Sequence, residues 1–342
     1  MAAPHQHSGQ GGDASDVVWR RFVMRYVAVF AGALVVVLAF IVLVDPYDSG
    51  RFASLPLRGI SDTSQRTENV SLGRNDKFNA AIFGNSHGQL IDPARLSQAT
   101  GLNVVQLAVP GANPPEQIAM IRWFIRHHAR IGGLVVAADT RWCGADPQPW
   151  KWFPFWLYGD SDVAYLVNAF STRSFTAAAR RIKHAFGLVN PSDARGYDDY
   201  EARLPASYRF DFPAPVQQPS PDQIAAAQAQ LRTPPFPAID WLAAELATVP
   251  ADTPIVILFP PQYVSTLPGS ADAAAVLQAC KARLAALVAG APHRGFLDFL
   301  VESDITRAPA NFIDEEHYRG PVARQVEHAI ANILTQHRPD AR

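Results

Sequence analysis

Two short segments hold residues able to do acyl-transfer chemistry. One is Gly84-Asn85-Ser86-His87-Gly88, with Ser86 just after the strand-like run Ala80-Ala81-Ile82-Phe83. The other is Asp314-Glu315-Glu316-His317, an acid three residues before a histidine and close to the C-terminus. A serine hydroxyl is a poor nucleophile until a base takes its proton, and an imidazole base works best when a carboxylate fixes its tautomer. Ser86, His317 and Asp314 could supply the three groups. Each also has a plainer use. Serine is a common helix cap, Asp314 and His317 could form a surface ion pair, and Asp298 is a rival acid. His87 is assigned a backbone hydrogen bond and stays outside the triad.

The surrounding pattern says what must position these groups. Short apolar runs at Ala80–Phe83, Val104–Ala108, Gly133–Ala138, Pro254–Phe259 and Gly295–Phe299 read as strands. Helical segments fall between them, near Asp92, from Pro114 to about His127, and over 271–289 and 320–337. Apolar strands alternating with helices imply an α/β domain with a parallel sheet covered on both faces, a three-layer α/β/α arrangement over 78–342. The stretch from about 142 to 240 interrupts the alternation and reads as an inserted cap with helices near 161–170 and 173–187. It carries Trp150, Trp152 and Trp156 beside Phe153 and Phe155. Such aromatics can stack on sugar rings or lie at a membrane interface, but more often pack an insertion onto its core.

Composition bounds the partners. The chain has 342 residues, 18% of them charged, and a net charge of -1, without the basic footprint that nucleic-acid binding leaves. Tyr26–Val44 runs 19 residues without a charge, enough to cross a bilayer core of about 30 Å. Buried soluble helices seldom stay apolar on every face for so long. A signal peptide would have a shorter apolar region and a small-x-small cleavage site, whereas this run leads into Val44-Asp45-Pro46-Tyr47. The expectation is one transmembrane anchor over 22–44, a disordered cytoplasmic tail over 1–21 and a linker over 45–77. Arg20, Arg21 and Arg25 precede the apolar run while Asp45 and Asp48 follow it. The positive-inside tendency then keeps the N-terminus cytoplasmic and everything after Val44 outside. In a bacterium that is a single-pass inner-membrane protein with its domain in the periplasm or outside the cell. Cys143 and Cys280 could pair in an exported domain, with two small buried thiols as the default reading. No H-E-x-x-H or Cys/His ligand pattern occurs, so no catalytic metal or other cofactor is expected. His5 and His7 are assigned to a solvated tail.

Gly84-x-Ser86-x-Gly88 formally matches the nucleophile elbow of α/β-hydrolases. In that fold several strands usually precede the nucleophile, and the acid and histidine lie on separate loops. Here the serine follows the first strand, and Asp314 and His317 share one segment. This arrangement resembles the SGNH (GDSL-like) hydrolase superfamily over roughly residues 78–337, the insertion aside. Gly84-Asn85-Ser86 corresponds to its Gly-Asp-Ser-type motif, with Asn85 where Asp is more usual, and Asp314-Glu315-Glu316-His317 matches its D-x-x-H motif. Val109-Pro110-Gly111-Ala112-Asn113 looks like its oxyanion glycine block. The third block, Gly-x-Asn-Asp, is replaced by Ala138-Asp139-Thr140-Arg141-Trp142.

The resemblance implies a flavodoxin-like sheet, with Ser86, Asp314 and His317 catalytic. It also implies an oxyanion hole from the Ser86 and Gly111 N–H groups, in which Asn113 or Asn85 stands in for the missing asparagine. The layout is similar to membrane-anchored members that modify cell envelopes and exopolysaccharides. It implies an esterase or O-acyltransferase acting on acylated carbohydrate or another ester, or an inactive relative that binds glycan or a membrane partner.

Overall fold

The structure, a computed structural model, describes residues 12–336 apart from 53, 58, 61–63, 151, 190–192 and 233. His5, His7 and the rest of 1–11 lie outside the described residues. A long helix, α1 (Gly12–Val44), is followed by α2 (Gln65–Gly73). Then come β1 (Ala80–Gly84), α3 (Pro93–Thr100), β2 (Val104–Gln106), α4 (Pro114–His127) and β3 (Gly133–Ala137). Five helices follow: α5 (Phe155–Tyr158), α6 (Asp162–Ala169), α7 (Thr172–Ala185), α8 (Pro221–Gln230) and α9 (Pro237–Leu246). The alternation then resumes with β4 (Ile255–Phe259), α10 (Ala271–Ala286), β5 (Arg294–Asp298), α11 (Asp304–Arg307) and α12 (Gly320–Thr335).

All five strands are parallel, in the order β2-β1-β3-β4-β5. Because successive strand side chains point to opposite faces, one sequence feeds two cores. Ala81, Phe83, Leu134, Val136, Ile255 and Ile257 pack with Ile121 and Phe124 of α4, Leu242 of α9 and Leu284 of α10. Their neighbours Ala80, Ile82, Val135, Val256 and Leu258 pack with Leu96 of α3 and with Val326 and Ile330 of α12. Helices thus cover both faces. In this strand order the connections leave β1 and β3 in opposite directions, and the gap between the C-terminal ends of β1 and β3 is where open parallel sheets usually hold ligands.

The N-terminal region is better built than a tail and a linker. Helix α1 is long and apolar enough to cross a membrane. It starts at Gly12, so 12–21 are helical: once a helix exists, each added residue gains a hydrogen bond without a new nucleation cost. Beyond Val44 the chain enters a buried polar collar. The fully buried Arg181 of α7 donates to the Val44 carbonyl (2.6 Å) and to Asp48 Oδ1 (2.7 Å), as well as to the Asp45 and Leu57 carbonyls. Asp45 accepts from Ser49 Oγ, the Gly50 N–H and Tyr165 Oη. Arg74 also bonds Asp48. A buried charge stripped of its partners is strongly destabilising, so this collar fixes how α1 leaves the domain.

Helices α6 and α7 lie where the aromatic insertion was expected to be helical. Its packing is mixed: Phe153 is buried and Trp156 packs at an edge against Tyr47, whereas Trp150 and Trp152 are exposed. The default reading of two free thiols is corrected, because Cys143 and Cys280 form a disulfide. It ties the chain just after β3 to α10, which flanks the β4 and β5 side of the sheet.

Candidate active site

Between Ala80 and Ile91 every residue is buried except Ser86. The turn after β1 accounts for this. Asn85, fully buried, accepts the His87 N–H on Oδ1 (3.0 Å) and donates from Nδ2 to Asp139 Oδ2 (2.6 Å) at the end of β3. Buried Gln106 of β2 donates to the Gly88 and Ile91 carbonyls and so braces the same turn. The turn also lies tight against β3. A Cβ at Gly84 or at Gly88 would come within 3.0 Å of Ala137, which is why glycine stands at both. Ser86 is left pointing outward at the gap between β1 and β3.

His317 reaches it from the far end of the chain. Ser86 Oγ lies 2.9 Å from His317 Nε2, and His317 Nδ1 lies 2.8 and 2.9 Å from the two Asp314 oxygens. With Nδ1–H donating to the carboxylate, Nε2 is left as the acceptor for the serine proton. The Asp314-to-His317 segment holds its own shape: Asp314 Oδ1 also accepts the Glu316 and His317 N–H groups, and the Ile313 N–H bonds the His317 carbonyl. Burial pushes the Asp314 carboxyl up. The hydrogen bond and charge of His317, with the two backbone N–H groups, outweigh it and hold the carboxyl below the usual carboxylate range. Asp298 has another partner, sitting 2.8 Å from Lys281 Nζ.

The expected oxyanion donors differ in their surroundings. Gly111 sits in a turn with φ +68°, a left-handed conformation that favours glycine, and a Cβ there would meet only open space. The Val109 N–H bonds the Gly84 carbonyl, tying that turn to the strand that delivers Ser86. Asn113 is engaged elsewhere. Its Nδ2 donates to the Gln148 carbonyl, and its backbone N–H to Glu116 at the start of α4. Asn85 is likewise committed to Asp139. Neither amide bonds Ser86 or His317.

A second polar network beside Ser86 was missed in the sequence. Buried His87 accepts from Gln262 Nε2 at Nδ1 (3.3 Å), which leaves Nε2 facing Glu316 at 3.4 Å. The His87 bond is the main reason the Glu316 carboxyl lies below its usual range. Asp139, just beyond β3, lies 4.0 Å from His87 Nδ1 and 3.2 Å from Arg141 Nη1. Burial raises the Asp139 carboxyl, against the opposing pull of His87, Arg141 and Asn85. The insertion supplies a wall: the Tyr200 ring meets His317 edge-on at 5.5 Å, and Glu201 accepts from Arg319 Nη1 and the Gly320 N–H. Nothing local in the sequence marks these residues, because their partners come from other strand ends or from the insertion. Among the described residues no group of three or more His, Cys, Asp or Glu is arranged to hold a metal ion.

The arrangement has the parts for nucleophilic attack on a carbonyl: an outward hydroxyl, a base within hydrogen-bond reach, an acid orienting that base and a glycine turn beside them. Compared with known proteins, the chain matches no family model and no curated protein.

Proposed function

We propose that the chain is a membrane-anchored serine esterase or O-acyltransferase of the SGNH type, working outside the cytoplasm on acylated glycans or cell-envelope polymers. The observation that carries this reading is the unbroken hydrogen-bond chain from Ser86 through His317 to Asp314. Ser86 Oγ attacks the ester carbonyl while His317 Nε2 takes its proton, and the new C–O bond gives a tetrahedral oxyanion. The Ser86 and Gly111 N–H groups hold that oxyanion. Collapse breaks the bond to the alcohol, which leaves with the proton from Nε2, and the acyl group stays on Ser86. Water or a sugar hydroxyl then attacks the acyl-enzyme, gives its proton to His317 and frees the serine. Hydrolysis and transfer differ only in that last nucleophile. Helix α1 and the Cys143–Cys280 disulfide support a domain held outside the cytoplasm, where thiols oxidise.

A binding role without catalysis is the competing reading. The bonds of the Asn85 and Asn113 amides to Asp139 and Gln148 favour it, since neither amide bonds Ser86 or His317. The two separate in an assay of the full chain in detergent with aryl acetates and acetylated polysaccharides, reading released acetate and acetyl transfer together. Turnover should be present and fall to background in Ser86→Ala. Turnover that survives the substitution would remove Ser86 from the chemistry, and none from well-folded protein would favour the binding role.

A further inference from the structure

A cavity lies at the root of the anchor. It encloses about 750 Å³ and is lined by three arginines, Arg66, Arg173 and Arg180, together with Trp152 and Trp156 and the hydroxyls at the start of α7. No Asp or Glu is among its described lining residues. Arg173 is exposed and makes no ion pair among the described residues, and the buried Nε of Arg66 has no hydrogen-bond partner there. Arg66 and Arg173 bring guanidinium donors to the same space. Their planar donor forks match phosphate oxygens best.

The place of the cavity selects the source of that phosphate. Tyr47, three residues beyond α1, forms part of its wall and shares a hydrogen bond with Ser174 of α7 (3.0 Å). The Phe40 ring in the last turns of α1 stacks on Phe175 of α7 at 6.0 Å. Arg173 and Arg180 therefore ride on the helix packed against the end of the membrane-spanning segment. Val163, Val167 and Phe170, on or next to α6, are also exposed, as is Trp152. Exposed apolar groups and tryptophan beside an anchor suit the headgroup layer of a bilayer.

We propose that this cavity binds the phosphate of a membrane lipid headgroup, with Arg66 and Arg173 as its principal ligands and the two tryptophans against the apolar stem that follows. Arg66 Nη2 also donates to the Pro110 carbonyl, next to Gly111, so the site adjoins the turn beside Ser86. The inference depends on α1 crossing a membrane and not on the esterase reading.

The test uses the full chain in a phosphate-free non-ionic detergent, with tryptophan fluorescence as the readout. Dihexanoyl phosphatidic acid should give a saturable change that dihexanoylglycerol does not, and Trp152→Phe should diminish it. Arg173→Gln, a surface change that folding tolerates, should weaken the apparent affinity about tenfold, and Arg173→Lys should recover part of the loss. An equal response to the phosphate-free lipid, or an unchanged titration in Arg173→Gln, would overturn the proposal. Inorganic phosphate alone saturating the signal at the same concentrations would overturn its lipid source.

Discussion

Asp314 shows how much one side chain depends on its surroundings. Its carboxyl is partly buried, which alone would raise its proton affinity, yet four favourable contacts from His317 and two N–H groups hold it ionised. An amide at this position keeps the shape and loses control of the imidazole tautomer. Asp314→Asn should therefore lower kcat on an acetyl ester by about 10⁴, a deficit steady-state kinetics can read. A loss under tenfold would remove Asp314 from the triad. The same contacts make a claim about stability. A carboxyl whose pKa is depressed on folding contributes stability above its unfolded value of about 3.9, and loses it as pH falls through the folded value. In urea unfolding, the gap between the native chain and Asp314→Asn should hold from pH 7 to about 5 and close only below about 4. A gap that closes near neutral pH would contradict the assigned shift. Ser86, His317 and Asp314 were legible because their types and order along the chain are distinctive. His87, Asp139 and Gln262 were not, because that network exists only once three strand ends have met.

The strands and helices follow from the spacing of apolar residues. The five parallel strands lie where runs such as Ile255–Phe259 left no room for a polar face. Helix α2 escaped notice because its nine residues are mostly polar and its buried members include Glu68, Asn69 and Ser71. The collar around Arg181 escaped for another reason: its partners at 44–57 lie more than 120 residues earlier in the chain. The disulfide belongs with these long-range contacts, joining residues 137 apart. Closing so long a loop restricts the unfolded chain, so breaking it should cost about 2–5 kcal/mol. Thermal melts of the native chain with and without reductant, beside Cys143→Ser/Cys280→Ser, measure this directly. Both treatments should lower Tm. A Tm unmoved by either would show that the bond contributes nothing.

At the scale of the whole molecule, a parallel sheet gathers residues from both ends of the chain at one edge, while the collar ties that assembly to α1, a helix long and apolar enough to cross a membrane. If α1 spans with its basic end inside, a reporter active only outside the cytoplasm should work when fused after Ile60. A silent fusion with a working cytoplasmic counterpart would reverse the orientation. The central claim concerns Ser86 itself. Treating the folded chain with a fluorophosphonate and weighing it intact should show one covalent adduct, mapped to Ser86 by peptide analysis and missing in Ser86→Ala. A folded, disulfide-bonded chain that takes up no adduct, or takes it up equally after the substitution, would contradict it.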